Sequence, residues 1–155
     1  MGFSQNIFID GVFDQFYPSN VVYTTSTKKT YFLGHTNQDF AYYIYNVNDK
    51  GSIEGSTPVI KGKFSSYLSN LQTLVDVVTN KQYIFGFNLV DKSIQFFKVL
   101  DTGNLEQLYE LIISNPNSAA RTALYYAING TIYYYYQNEK TKGWEISKVA
   151  FTDNK

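Results

Sequence analysis

Tyr83-Ile84-Phe85-Gly86 restates Tyr31-Phe32-Leu33-Gly34, and Asp101-Thr102-Gly103-Asn104-Leu105-Glu106 restates Asp49-Lys50-Gly51-Ser52-Ile53-Glu54. Both pairs stand 52 residues apart, with no gap between them. A looser third copy reads Ile132-Tyr133-Tyr134-Tyr135. Repetition at this period marks units that bury their apolar faces against one another, so it decides the architecture before any single residue does.

Working outward from these copies, each unit reads as about four short strands. Residues 7–13, Val21 to Thr25, the run from Tyr31, and Phe40 to Val47 are the strands expected in the first. Ile9-x-Gly11-x-Phe13 returns as Ile60-x-Gly62-x-Phe64, and more weakly as Leu111-Ile112-Ile113, giving repeats of about 6–56, 57–108 and 109–155 within one domain. Asn129-Gly130 separates two apolar runs and predicts a tight hairpin, because both residues tolerate the positive φ that its turn requires. Asp101-Thr102-Gly103 predicts a second tight turn. A short turn of helix is expected within Phe64 to Leu74, and nowhere is there a sustained helical period.

Composition agrees. The 155 residues include 15 Tyr and 12 Phe but are only 17% charged, which suits half-buried pleated surfaces. Thirteen basic residues balance thirteen acidic ones, which argues against nucleic acid and anionic membranes as partners, since both draw on excess Lys and Arg. No stretch approaches the roughly 18 apolar residues of a membrane-spanning helix. Without cysteine there is no disulfide or thiolate chemistry. Met1-Gly-Phe-Ser-Gln-Asn lacks the basic start of a signal peptide, which leaves the cytoplasm or a non-classical export route as the expected setting.

Two all-β architectures fit three four-stranded units: a monomeric β-trefoil, and blades of a propeller. Connection lengths favour the second. The strand from Ser93 to Val99 meets Leu105 through a tight turn, and the long connection follows at Ser114 to Arg121, which is the order of a meander and then a crossover. Leu74 to Lys81, Gln82 to Phe87, Ser93 to Leu100 and the Asp101–Leu105 turn resemble the successive strands of a β-propeller blade of the tachylectin or lactonase type. The resemblance implies that the strand opening each repeat is the outer strand of the blade before it. The third unit departs from the pattern, lacking the Tyr-x-x-Gly glycine and an outer strand. It therefore implies a six-bladed ring made by two chains, a homodimer, in which the strand at Ile7 to Phe13 completes the last blade of the ring.

Catalytic chemistry is thinly represented. His35 is the single histidine, and aromatic residues at its counterparts Phe87 and Tyr136 mark it as a packing residue. One histidine without cysteine makes no typical zinc site, and no Walker loop, dinucleotide fingerprint, EF-hand or Gly-x-Ser-x-Gly elbow occurs. Asp39 and Asp91, Glu54 and Glu106, and Asp49 and Asp101 are repeat pairs, and such residues serve turns more often than acid–base pairs. The expectation is a non-enzyme that needs neither cofactor nor metal.

Aromatic strands remain. Tyr42-Tyr43-Ile44-Tyr45 and Tyr133 to Tyr136 carry rings on both faces, and tyrosine and tryptophan suit the C–H faces and hydroxyls of a sugar. A multivalent carbohydrate-binding protein is the leading expectation, with glycans as partners. Trp144 and Tyr43 are its candidate stacking residues, Asp39, Asp91, Asn37 and Asn88 its polar partners, and Arg121 a loop cation. A millimolar sugar site is worth about −4.1 kcal/mol, and repeating it on one rigid body raises avidity by roughly 10² to 10⁴. The alternative is a protein-interaction module such as a trefoil protease inhibitor. Asn129-Gly130-Thr131 also matches a glycosylation acceptor, but the hairpin accounts for it.

Overall fold

A computed structural model describes residues 9–110 and 124–152. The described chain is all-β, its one helical element a short 3₁₀ turn, Gln38–Phe40. Strands β1 (Ser19–Thr24), β2 (Thr30–His35), β3 (Ala41–Val47) and β4 (Ile60–Lys63) form one antiparallel meander. Strands β5 (Leu68–Asp76), β6 (Lys81–Asn88), β7 (Ser93–Val99) and β8 (Leu105–Glu110) form a second. Strands β9 (Leu124–Ile128), β10 (Thr131–Gln137) and β11 (Trp144–Lys148) form a third. The two-residue β12 (Phe151–Thr152) then leaves the third sheet to pair with β8, extending the second sheet's edge.

The three sheets stack face to face in chain order. Alternation along β2 sends Tyr31 and Leu33 toward the second sheet, where they meet Leu68, Leu71, Ile84 and Phe97. The second sheet's other face presents Tyr83, Phe85 and Phe96 to Ala127 and Ile132 of the third. The middle sheet is thus apolar on both faces, and β6 reads as an almost continuous buried run. The first strands of the sheets lie next to one another, β1 against β5 and β5 against β9.

Repeat equivalence extends to backbone conformation. Gly51 (φ 86°) and Gly103 (φ 92°) turn the chain identically between the third and fourth strands, and Tyr31 packs so closely on Gly103 that a Cβ there would meet its ring. Lys28 (φ 72°) and Asn80 (φ 61°) match in the first hairpin of each sheet, and Phe40 (φ 56°) and Lys92 (φ 62°) in the second. Asn129 (φ 52°) and Gly130 (φ 86°) make the expected two-residue hairpin. The third copy is aligned by Asn138 and Lys142 (φ 65°), which match Asn88 and Lys92. That register makes Tyr133, not Ile132, the counterpart of Tyr83, and puts Gln137, not Tyr136, opposite Phe87.

Two further expectations are corrected. Residues 9–13 of the proposed first strand form no ladder; residues 7 and 8 lie outside the described residues. Within 9–13 only Phe13 finds apolar surface, against Phe32 and Tyr45 (5.6 and 4.8 Å between centroids), while Ile9 and Val12 stay exposed. Phe64 to Leu74 is not helical: the spacing Leu68, Leu71, Leu74 imitates a helix because a bulge with Asn70 at φ 54° keeps Leu68 and Leu71 on one face, while Leu74 faces the other. Ile60–Lys63, the strand that opens the second repeat, pairs with β3 as the fourth strand of the first sheet, the position expected for it.

Antiparallel meanders place their connections at two ends. The hairpins at 25–29, 77–80 and 129–130 and the β3–β4 and β7–β8 turns share the turn end. The loops at 36–40, 89–92 and 138–143 and the crossover at 64–67 share the other, the loop end.

Candidate functional site

Two buried polar side chains, Asp76 and His35, join sheets. Asp76, the last residue of β5, is fully buried. Its Oδ1 accepts from the backbone N–H of Val78, Thr79 and Asn129 at 3.0, 3.2 and 3.0 Å, and its Oδ2 from Gly130 at 2.5 Å. Burial alone raises a carboxyl pKa, but the donors from Gly130, Thr79 and Asn129 outweigh it and hold this one down at about 2. One carboxylate thereby ties the second sheet's first hairpin to the third sheet's.

His35 plays the matching part at the loop end between the first two sheets. The Leu68 N–H donates to its Nε2 at 3.0 Å, so Nδ1 carries the proton and donates to the Ala41 carbonyl at 2.8 Å. Its ring stacks on Tyr67 (4.9 Å, 19°) and meets Phe64 edge-on. Desolvation lowers its pKa, more than the Ala41 hydrogen bond raises it. Below about pH 6.5 the unfolded chain therefore takes up a proton that the folded chain refuses. Stability is complete above that pH and falls as pH drops toward 5. We expect His35→Phe, which installs the residue of the second repeat, to remove this slope and to cost about 1–3 kcal/mol for the Leu68 N–H that loses its acceptor. The Ala41 carbonyl still accepts from the Thr36 N–H. Urea midpoints at pH 7.5 and 5.0 check it; a variant with an unchanged slope would refute the assignment.

Of the residues expected to bind sugar, five gather at the loop end. Asn37 and Asp39 are exposed in the β2–β3 loop, where Asn37 makes no side-chain cap and Asp39 adopts φ 55°. Asn88 and Asp91 occupy the equivalent loop but are committed to it. The Asn88 Oδ1 accepts from Val90 N–H at 3.0 Å and its Nδ2 donates to Ser66 Oγ at 2.8 Å; the Asp91 carboxylate accepts from the backbone and hydroxyl of Ser93 at 3.0 and 2.6 Å. Trp144 opens β11 at the same end, 64% exposed, with its side chain on the outward face of the third sheet. Tyr43 lies on the outward face of the first sheet, half-buried against Tyr17 at 5.9 Å, so the two proposed stacking residues flank opposite sides of the stack. Arg121 lies outside the described residues.

Two features escaped the sequence reading. Tyr67, half-buried in the crossover, sits beside the β2–β3 loop through its contact with His35, and only the fold joins positions that far apart. A groove of about 270 Å³ runs between residues 9–13 and the β3–β4 turn, lined by Ile9, Asp10, Ser52 and Ile53 among others. It belongs to the turn end, away from the Asn and Asp loops. Among the described residues no three His, Cys, Asp or Glu side chains converge as metal ligands, and no helix is long and apolar enough to cross a membrane.

Comparison with protein-family models, with curated proteins and with solved structures gave no significant match, so a reading of function rests on the chain's own repeats and loops.

Proposed function

We propose that the three sheets are consecutive propeller blades and that the protein binds carbohydrate, without catalysis, through loops at one end of the stack. Separate meanders stacked face to face, with their first strands adjacent, favour blades over the continuous barrel of a trefoil. The observation that carries the binding reading is that Asn37 and Asp39 are exposed in the β2–β3 loop while Tyr67, from the crossover at the same end, stacks on His35, the residue that leads into that loop. An aromatic flank with hydrogen-bonding side chains is what a pyranose needs, with its apolar C–H face and ring of hydroxyls. Asn88 and Asp91 keep the equivalent loop in shape. Trp144 and Tyr43 lie on sheet faces, and this reading gives them to sheet packing.

Glycan-array binding that a free monosaccharide competes away is the expected result. Asp39→Asn retains a residue that tolerates positive φ, and Tyr67→Ala removes the ring. Each should weaken binding at least tenfold, about 1.4 kcal/mol. Absence of binding to every glycan, or full binding by both variants, would defeat the reading.

A further inference from the structure

The outward face of the third sheet carries the positions that face a neighbouring sheet in the other two. Register places Trp144 where the second sheet has Ile94 and the first has Tyr42, and Ile146 where they have Phe96 and Ile44. Ile44 and Phe96 are 0% exposed and Ile94 is 6%, because each packs against the next sheet in the row. Ile146 is 47% exposed and Trp144 64%. Leu124 and Ile128, on the same face across β10, are 59% and 47% exposed. Four large apolar side chains on one face exceed the scattered exposure normal for a soluble surface.

The opposite end of the stack is the natural complement. There the first sheet presents the face type that in the second sheet receives a neighbour. Phe32 and Tyr45 stand at the positions of Ile84 and Phe97, which pack against the first sheet. Here Phe13 and Tyr17 of the same chain cover them, so a second copy would meet Val22 and the segment that carries those two rings. This end is apolar as well: Val22, paired with Phe32, is 53% exposed, and Val12 and Phe16 are 90% and 82%.

We infer that the third sheet of one chain packs on the first sheet of a second copy. The contact is heterologous, and two such junctions related by a two-fold axis close two chains into one ring. The inference rests on the blade reading of the sheets and is independent of sugar binding.

Light scattering on the full chain should give twice 17.8 kDa, and the emission of Trp144, the one tryptophan, should move to the blue as concentration drives association. Ile146→Glu and Val22→Glu change exposed side chains, so each variant should fold, yet each alone should be monomeric. Mixed together they should associate again, because the Val22→Glu chain keeps an intact third sheet and the Ile146→Glu chain an intact first sheet. A wild-type monomer at tens of micromolar, an open series of larger species, or a mixture that stays monomeric would each overturn the inference. Dimerisation lost in Ile146→Glu but kept in Val22→Glu would also overturn it, showing two third sheets packed on each other. Glycan binding by a monomer would leave the loop-end site standing while this interface falls.

Discussion

Asp76→Ala is expected to loosen the junction between the second and third sheets more than any other single polar replacement. It strands the amides of Val78, Thr79, Asn129 and Gly130, two in each of two hairpins. Asp76→Asn preserves shape and, with its oxygen at the Oδ1 position, three of the four acceptor contacts. It turns its NH2 toward the Gly130 N–H, however, so it should fall between the alanine variant and the native chain. Asp91→Ala is the control. Its carboxylate caps an exposed turn, and its loss should cost about 1 kcal/mol or less. The pH dependence has a definite sign. With a folded pKa of about 2 against an unfolded value near 3.9, Asp76 contributes stability that is complete above about pH 4 and is lost as pH falls through 2. Urea melts from pH 5 to pH 2 should show that acid limb in the native protein and a reduced one in Asp76→Asn. An unchanged limb would mean that other carboxylates carry it.

The all-β class and most strand positions were legible because their signals are local. Alternation, Asn129-Gly130 and the glycines at 51 and 103 act over a few residues, and the structure places strands and turns at each of them. The misreadings share a physical cause: each depended on something distant in the chain. Ile9-x-Gly11-x-Phe13 alternates as a strand should, but a strand also needs an edge to pair with, and no period in the sequence reports whether one is free. Leu68, Leu71 and Leu74 have helical spacing only because a bulge intervenes, and Asn70 at positive φ is a faint signal for it. The third copy reads one residue out of step because aromatic residues fill both faces of β10. The Asn138 and Lys142 pair gave the true register.

The candidate site divides in the same way. The loop-end position of Asn37 and Asp39 was legible because turns that share a repeat position also share an end of the stack. Tyr67 was not, since 32 residues separate it from His35 and only tertiary packing brings their rings together. The packing role of His35 was legible from its aromatic counterparts. Its tautomer was not, because that follows from two backbone partners, Ala41 and Leu68, supplied by different sheets. Trp144 stands out in the sequence as the only indole, whereas register sets it beside Ile94, which is core in the second sheet, and Tyr42, which packs on the core of the first.

Phe96→Ala should be the most destabilising single truncation. Phe96 is 0% exposed and sits in the face between the second and third sheets, 5.7 Å from Phe85, 5.5 Å from Tyr125 and 5.7 Å from Phe151. Removing a buried phenylalanine ring costs about 3–5 kcal/mol, a large share of the 5–15 kcal/mol that typically separates folded from unfolded. Its neighbour Phe97 points to the other face, against Phe64 at 4.9 Å, so Phe97→Ala makes a cavity of similar chemistry between the first and second sheets. The pair tests whether the sheets are held by separate interfaces. If they are, hydrogen exchange in Phe96→Ala should accelerate by about 10² or more in β9 to β11, at about 1.4 kcal/mol per tenfold, while β1 to β3 change less. Phe97→Ala should show the reverse. Equal acceleration in both outer sheets from either variant would mean that the stack opens only as a whole. The middle sheet would then act as one cooperative core, not as a wall between two.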